Sequence, residues 1–220
     1  MNMNAYPIEA KICGLRTPAT VRAAIAGGAA YVGFIFFPPS PRFVTAAEAA
    51  RLAEVIPPAI KKVAVVVDAD DAAIADITAQ VPLDMVQLHG HEDPARVAEI
   101  RRNHGVAVMK SISVGEAADV DRAVQFEDCV DRLLFDGKAP PASAIPGGNA
   151  VTFDWNLLRG RSWRCAWGVS GGLDATNVAA AVQASGAAMV DVSSGVESKK
   201  GVKDDGLIAA FLAATAGIRA

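Results

Sequence analysis

The feature that most constrains the fold is a regular alternation of short apolar runs with helix-start signals along the whole chain of 220 residues. Short apolar runs bounded by turn residues are typical of strands buried on both faces. They predict eight strands, at Ile8–Cys13, Tyr31–Phe36, Ile60–Val67, Asp84–Leu88, Val106–Ile112, Arg132–Asp136, Arg164–Val169 and Ala188–Val192.

Helix-start signals lie between these runs. Some pair a capping side chain with a proline that suits the first helical turn, and others have the spacing of a capping box. The signals are Thr17-Pro18, Asp93-Pro94, Thr45 with Glu48, Ser113 with Glu116, and Asp174 ahead of a helical pattern over residues 175–184. The final helix is predicted from apolar residues spaced on one face, at Leu207, Ile208, Phe211 and Leu212.

Strands that alternate with helices are parallel and joined by right-handed crossovers. Eight strand–helix units of roughly 27 residues match a closed eight-stranded barrel near its minimum size. The alternative is an open doubly wound sheet, which usually carries a glycine-rich turn after its first strand. Here that turn, Cys13–Arg16, holds one glycine. We therefore predict the α/β class and a single-domain (β/α)8 TIM barrel over residues 1–220.

Composition excludes several classes of function. The net charge of -3 gives no basic surface for a nucleic-acid backbone. The sequence contains no apolar run of about 18 residues that could span a membrane. Residues Met1–Pro7 lack the pattern of a secretory signal, and the three cysteines are widely spaced, which fits a reducing compartment. We expect a cytoplasmic protein that binds neither nucleic acid nor membranes.

Active sites of such barrels lie at the carboxyl ends of the strands. Polar or ionisable residues occupy most of these positions. They are Cys13, the Pro38–Arg42 loop, Asp68, His89, Ser111–Ser113, Asp136, the turn Ser170–Leu173 and the turn Ser193–Gly195.

Side-chain alternation places Glu9, Lys11 and Cys13 on the inner face of the first strand, with Cys13 at the mouth. Cys13 is then either a reactive thiol or a small apolar filler, the commoner fate of a lone cysteine. Asp136 ends an apolar run and is either a cap for the next loop or a catalytic carboxyl. Both alternatives remain open on position alone.

Two turns have the composition of a phosphate site. Gly171 and Gly172 follow the seventh predicted strand, and Ser193-Ser194-Gly195 follows the eighth. Glycines allow backbone N–H groups to approach a phosphate, and the loops after strands seven and eight often bind one in this fold. The alternative is a pair of ordinary tight turns. The segment His89–Asp93 lacks helical ligand spacing and Asp93 is already a cap, so we predict no metal site.

With these residues identified, the chain resembles the phosphoribosylanthranilate isomerase family of tryptophan biosynthesis. The resemblance runs nearly end to end and rests on motifs that are specific only in combination. They are Lys11-Ile12-Cys13-Gly14, Gly33-Phe34, Ser40-Pro41-Arg42, Gln87-Leu88-His89-Gly90, Leu134-Phe135-Asp136, Phe153-Asp154-Trp155, Ser170-Gly171-Gly172-Leu173 and Val190–Glu197.

The resemblance implies an Amadori rearrangement of a small phosphorylated substrate, N-(5-phosphoribosyl)anthranilate, into an aminoketose phosphate, without metal or cofactor. It implies that Cys13 is the general base, that a protonated Asp136 is the general acid and that Arg42 binds the anthranilate carboxylate. A lowered thiol pKa would help Cys13 to act as a base. The matched motifs add Lys11, Gln87 and His89 to the pocket. The family contains monomers and dimers, and we expect a monomer.

The chain departs from the family pattern in the loop Gly137–Thr152. The family usually has a further glycine, spaced by one residue, after the pair that matches Gly147-Gly148, where this chain reads Asn149-Ala150. This change bears on the shape of the loop. Phe135 also stands where a second leucine is common.

Two other functions fit parts of this pattern. One is the histidine-pathway aminoaldose isomerase, which runs the same rearrangement but, by resemblance, has an aspartate where this chain has Cys13. The other is a barrel that binds a phosphorylated ligand without turnover. Such a barrel would have no need of both a base and an acid, and a turnover assay separates these cases.

Overall fold

A computed structural model of the chain describes residues 7–141, 143 and 145–218. Eight parallel strands close into a barrel in chain order, with the last strand paired to the first, which confirms the predicted fold. The strands are β1 (Glu9–Cys13), β2 (Tyr31–Ile35), β3 (Lys61–Val66), β4 (Met85–Leu88), β5 (Ala107–Val114), β6 (Arg132–Gly137), β7 (Ala166–Val169) and β8 (Met189–Val192).

Helices surround the barrel at the predicted places, with one exception. They are α1 (Pro18–Ala26), α2 (Ala46–Ala53), α3 (Asp71–Gln80), α4 (Pro94–His104), α5 (Ala117–Asp121), α6 (Val178–Ser185) and α7 (Asp205–Ala216). The caps predicted at Thr17, Asp93 and the Thr45–Glu48 box are confirmed. Within the described residues, every helix is too short or too polar to span a lipid bilayer.

Two of the predicted helix starts are wrong. Ser113 still belongs to β5, and the buried Asp119 instead accepts hydrogen bonds from the N–H groups of Gly115 and Glu116, so α5 begins at Ala117. Asp174 accepts from Thr176 and Asn177 in a turn of its own, and α6 begins three residues later than predicted, at Val178. Local carboxylate turns therefore delay both helices.

Between β6 and β7 the described chain forms a short 3-10 helix, Trp155–Leu158, in place of the predicted α-helix. The preceding residues 145–154 run as a loop that crosses the carboxyl end of the barrel. After β8 the chain adds an unpredicted antiparallel hairpin, β9 (Glu197–Lys199) and β10 (Val202–Lys203). These two segments, the β6–β7 loop and the β9–β10 hairpin, both reach the barrel mouth.

Apolar side chains form two separate layers. The outer layer lies between the strands and the helices and includes Ala10 and Ile12 of β1. The inner layer fills the amino-terminal half of the barrel with large side chains, because its members lie early in their strands. They are Tyr31, Val63, Met85, Met109, Leu134 and Met189. The filled half closes the barrel at that end and leaves polar groups to occupy the carboxyl-terminal mouth.

Ala150 occupies the position where the family usually has a glycine, and its backbone is left-handed, with a φ of 56°. Left-handed backbone brings a Cβ atom too close to the following carbonyl oxygen, at a cost of roughly 1–2 kcal/mol. Its carbonyl oxygen lies beside Gly172, in the turn after β7. Alanine at this position therefore adopts a backbone conformation that favours glycine, and the loop is strained there.

We expect Ala150→Gly to raise the free energy of unfolding by up to about 1 kcal/mol, because relief of this strain exceeds the extra flexibility of glycine in the unfolded chain. Ala180→Gly is the matched control. It places the same change on the exposed face of α6, where it should destabilise by about 0.5–1 kcal/mol. Urea denaturation of both variants measures the difference. Equal destabilisation would show that Ala150 carries no strain.

Candidate active site

The predicted site residues meet at the barrel mouth. One cavity is lined by Cys13, Arg42, Gln87, His89, Asp136 and Ser193. A second space adjoins it and is lined by Gly171, Gly172, Ser193 and Ser194. Lys11 is fully buried and contributes no wall to either space, so it lies behind Cys13 rather than in the pocket itself.

Cys13 ends β1 beside Gly33 of β2, its register partner. A Cβ atom on Gly33 would stand 3.0 Å from the Cys13 sulfur and 3.2 Å from the Lys11 ammonium, so glycine leaves room for both groups. Lys11 also donates to Asp191 at 3.0 Å across the β1–β8 pair. The thiol therefore lies beside a buried ion pair.

Burial raises the pKa of the Cys13 thiol above its ordinary value, although the positive charges of Lys11 and Lys203 act in the opposite direction. The lowered thiol pKa that would help a general base is therefore not found: burial outweighs the neighbouring positive charges. Burial alone would lower the pKa of Lys11, but Asp191 and Cys13 raise it, so this side chain stays charged at neutral pH. The sign at Cys13 follows from a desolvation that the sequence does not display.

Asp136 ends the barrel-facing part of β6 and meets His89. The His89 Nε2 atom lies 3.1 Å from the Asp136 carboxylate, at an angle that falls short of a hydrogen bond. On the other side of the ring, the Gln87 amide nitrogen is 3.1 Å from Nδ1 and also donates to Ser111 at 3.0 Å. With the amide assigned this way, Nδ1 accepts and the imidazole proton is on Nε2, which faces Asp136.

Arg42 is buried and forms a side-on, two-bond pair with Glu197. Its Nε and Nη2 atoms donate to the two carboxylate oxygens at 2.6 and 2.9 Å, and Nη2 also donates to the Gly148 carbonyl at 3.2 Å. Glu197 further accepts from Lys203 and from the Gly201 N–H. These donors hold the pKa of Glu197 at about 2 in spite of its burial.

The phosphate turns present backbone donors. Gly171 and Gly172 both have positive φ, 87° and 61°, and a Cβ atom on Gly171 would lie 2.4 Å from the Gly137 nitrogen. In the described part of the chain, their N–H groups and that of Ser194 donate to no protein acceptor. Consecutive free N–H groups of this kind form an anion-binding concavity.

The hydroxyl and carbonyl groups of Ser193 are hydrogen-bonded within the protein. Its hydroxyl donates to the Cys13 carbonyl at 3.2 Å, and Lys203 donates both to this hydroxyl, at 3.1 Å, and to the Ser193 carbonyl, at 2.7 Å. The side chain is therefore held within the protein. Ser194 lines the space beside Gly171 and Gly172 without such bonds.

Two glycines of the β6–β7 loop cover the cavity. A Cβ atom on Gly147 would stand 2.7 Å from the His89 ring and 3.0 Å from an Asp136 oxygen, and one on Gly148 would stand 2.4 Å from Arg42 Nη1. Only glycine allows the loop to approach these side chains so closely. The loop is thus part of the site wall.

Within the segment His89–Asp93, His89 lines the cavity and the remaining side chains serve the structure around it. Asp93 caps α4, His91 contacts Asp68, and Glu92 forms a buried pair with Lys110 at 2.8 Å. Among the residues that the structure describes, no group of three or more His, Cys, Asp or Glu side chains is arranged to hold a metal ion.

Sequence reasoning assigned no role to several residues that complete this site, namely Ser111, Asp191, Glu197 and Lys203. Ser111 stood among the strand-end candidates, and Asp191 and Glu197 lie within the motif Val190–Glu197, which was the available signal for them. Lys203 lies in the unpredicted hairpin. No spacing rule in the sequence marks it as a neighbour of Ser193.

Comparisons with known proteins show the family of the chain. The family model described as N-(5'phosphoribosyl)anthranilate (PRA) isomerase matches residues 10–214. N-(5'-phosphoribosyl)anthranilate isomerases of Rhodospirillum centenum and Paramagnetospirillum magneticum are 51% and 52% identical, over 96% and 97% of this chain and 100% and 99% of their own.

Solved structures show the same fold. The Thermotoga maritima phosphoribosyl anthranilate isomerase superposes with a TM-score of 0.86 at 33% identity, over 96% of this chain and all of that one. A structure of such an isomerase in complex with reduced 1-(o-carboxyphenylamino)-1-deoxyribulose 5-phosphate gives 0.81 at 30% identity with the same coverage. The chain therefore belongs to the N-(5'-phosphoribosyl)anthranilate isomerase family and is an isomerase of tryptophan biosynthesis.

Proposed function

We propose that the chain converts N-(5'-phosphoribosyl)anthranilate to 1-(2-carboxyphenylamino)-1-deoxyribulose 5-phosphate, with Cys13 as general base and Asp136 as general acid. One observation carries the proposal: a thiol and a carboxyl from non-neighbouring strands line one cavity between free backbone N–H groups and a buried arginine. The two binding features match the phosphate and the carboxylate at opposite ends of this substrate.

The proposed reaction begins when Asp136 donates its proton to the furanose ring oxygen. The C1′–O bond then breaks, and the anthranilate nitrogen becomes a positive iminium. Cys13 as thiolate removes the C2′ proton, and that electron pair neutralises the nitrogen to give an enolamine. Tautomerisation to the ketone moves a proton from the enol oxygen to C1′. The substrate's own nitrogen accepts the electrons, so the step needs no cofactor.

Neighbouring charges support these two roles. The Lys11 ammonium favours the thiolate of Cys13, and the iminium formed by ring opening adds a second positive charge in the same space. His89 faces Asp136 with its Nε2 atom and is itself held by Gln87 and Ser111. The acid is therefore oriented by a chain of polar groups, and the positive charges of Lys11 and Lys203 favour the ionised base.

The protein groups proposed to bind a carboxylate and a phosphate indicate which substrate the site accepts. Arg42 keeps donors for a ring carboxylate, and the turns at Gly171–Gly172 and Ser194 offer N–H groups for the phosphate. Cys13 at the end of β1 argues against the histidine-pathway reaction, for which an aspartate is expected there. The presence of both Cys13 and Asp136 argues against a barrel that only binds its ligand.

Cys13→Ala should lower kcat by about 10²-fold or more, the usual contribution of a general base, with folding intact. Because burial raises the thiol pKa, alkylation of Cys13 by iodoacetamide, which reports the thiolate alone, should become faster with pH until the thiol ionises. Cys129→Ala is the matched control, since this free cysteine lies outside the cavity. The decay of anthranilate fluorescence measures turnover. Normal turnover of the Cys13 variant would reject the role.

Asp136→Asn keeps the shape of the side chain and removes its proton. We expect kcat to fall at least about 10²-fold, with less than about a tenfold change in Kd for a product analogue. Gly171→Ala should show the reverse. It should first weaken the binding of the analogue, because the added Cβ would displace the turn that holds the phosphate. Stopped-flow turnover and calorimetric binding separate the two. An Asp136 variant that binds poorly yet turns over normally contradicts the assignment.

We also propose that residues 1–220 form one domain that acts as a monomer in the cytoplasm. Every group of the proposed site comes from a single chain, and the three cysteines are free thiols, as in a reducing compartment. Light scattering should give the mass of one chain, 22.7 kDa. A relative from Thermotoga maritima is described as dimeric, and a mass of two chains would assign the same state here.

A further inference from the structure

We propose that Glu197 is a positioning residue that fixes the Arg42 guanidinium for a ligand carboxylate and thereby sets the preference of the site for a carboxylated ring. The inference rests on the proposed function, in which Arg42 binds the carboxylate. Glu197 lies 155 residues from Arg42 in sequence, at the start of the β9–β10 hairpin, and does not itself line the cavity around Cys13 and Asp136.

The Arg42–Glu197 pair leaves one defined part of the guanidinium available to bind a ligand. Glu197 occupies the edge formed by Nε and Nη2, at 2.6 and 2.9 Å, which is the two-bond geometry that fixes the plane of the group. Nη2 also donates to the Gly148 carbonyl. None of the hydrogen bonds within residues 7–141, 143 and 145–218 involves Nη1. A carboxylate therefore meets Nη1 in an orientation that Glu197 determines.

The charge of the cluster provides a reason for ligand preference. Arg42 and Lys203 are both positive, and Glu197 is the carboxylate that they share, with side chains only 2–3% exposed. The nearby Lys11–Asp191 pair is internally balanced. The Arg42–Glu197–Lys203 cluster thus holds a net positive charge away from water, an arrangement that a ligand carboxylate stabilises.

Lys203 connects this cluster to the phosphate end of the site. Its ammonium donates to Glu197 at 2.8 Å and to the Ser193 carbonyl at 2.7 Å, next to Ser194. Gly201 donates to the other Glu197 oxygen at 2.9 Å and closes the hairpin over the pair. One carboxylate therefore holds Arg42, the hairpin and the Ser193 turn in a single arrangement.

The test compares two ligands that differ only in the ring carboxylate. They are the product analogue reduced 1-(2-carboxyphenylamino)-1-deoxyribulose 5-phosphate and its counterpart with an unsubstituted phenyl ring. Calorimetry gives the Kd of each, and their ratio is the carboxylate preference. Glu197→Gln keeps the size of the side chain but turns an NH2 group toward the arginine donors. It should reduce the preference at least about tenfold and change the Kd of the phenyl ligand less than about threefold.

Three further variants complete the experiment. Arg42→Ala should abolish the preference, as the proposed function requires. Glu92→Gln removes another buried glutamate–lysine pair and should leave the preference unchanged. Glu197→Asp keeps the charge, but its shorter side chain cannot span both arginine donors. It should reduce the carboxylate preference at least about threefold. This variant replaces Glu197→Gln if the glutamine variant does not fold.

The outcomes are distinct. A preference lost in Arg42→Ala but retained in both Glu197 variants overturns the inference and leaves the proposed function standing. Equal weakening of both ligands in the Glu197 variants also overturns it, since this is the result of a merely structural role. A preference retained in Arg42→Ala overturns the assignment of Arg42 to the carboxylate and the inference with it.

Discussion

A buried ion pair joins the first and last strands of the barrel, and the arrangement of the site depends on it. Lys11 of β1 and Asp191 of β8 are register partners at the seam where the first strand meets the last, and their charges are 3.0 Å apart. Breaking such a pair would leave a charge in a region that water does not reach, at a cost of about 3–5 kcal/mol. The same ammonium lies beside the Cys13 thiol. The closure of the fold and the environment of the candidate base are therefore one arrangement.

The rest of the mouth follows the same principle, in which each ionisable group is oriented by a partner from a distant part of the chain. His89 faces Asp136, and Glu197 holds Arg42. The parallel barrel makes this arrangement available, because all its strands end on the same side. Groups held in this way need little rearrangement when a charged ligand arrives.

Much of this architecture was predictable from the sequence, because the signals involved are local. Apolar runs located all eight strands to within about two residues, and Thr17 and Asp93 cap the helices that they were expected to cap. Predictions failed where a competing local bond intervened, as at Asp119, whose carboxylate delays α5. The sign of the Cys13 pKa shift and the Arg42–Glu197 pair were beyond reach, since both depend on burial and long-range contact.

The filled amino-terminal half of the barrel has a consequence for how reactant enters the enzyme and how product leaves it. Tyr31, Met85, Met109, Leu134 and Met189 close that end, so a ligand reaches Cys13 and Asp136 only from the carboxyl-terminal face. Reactant and product therefore pass through the same opening. The site cannot pass molecules through in one direction, and product must leave by the route on which the next reactant arrives. Accumulated product then competes directly with reactant, so the flux through the step depends on how quickly the next enzyme removes it.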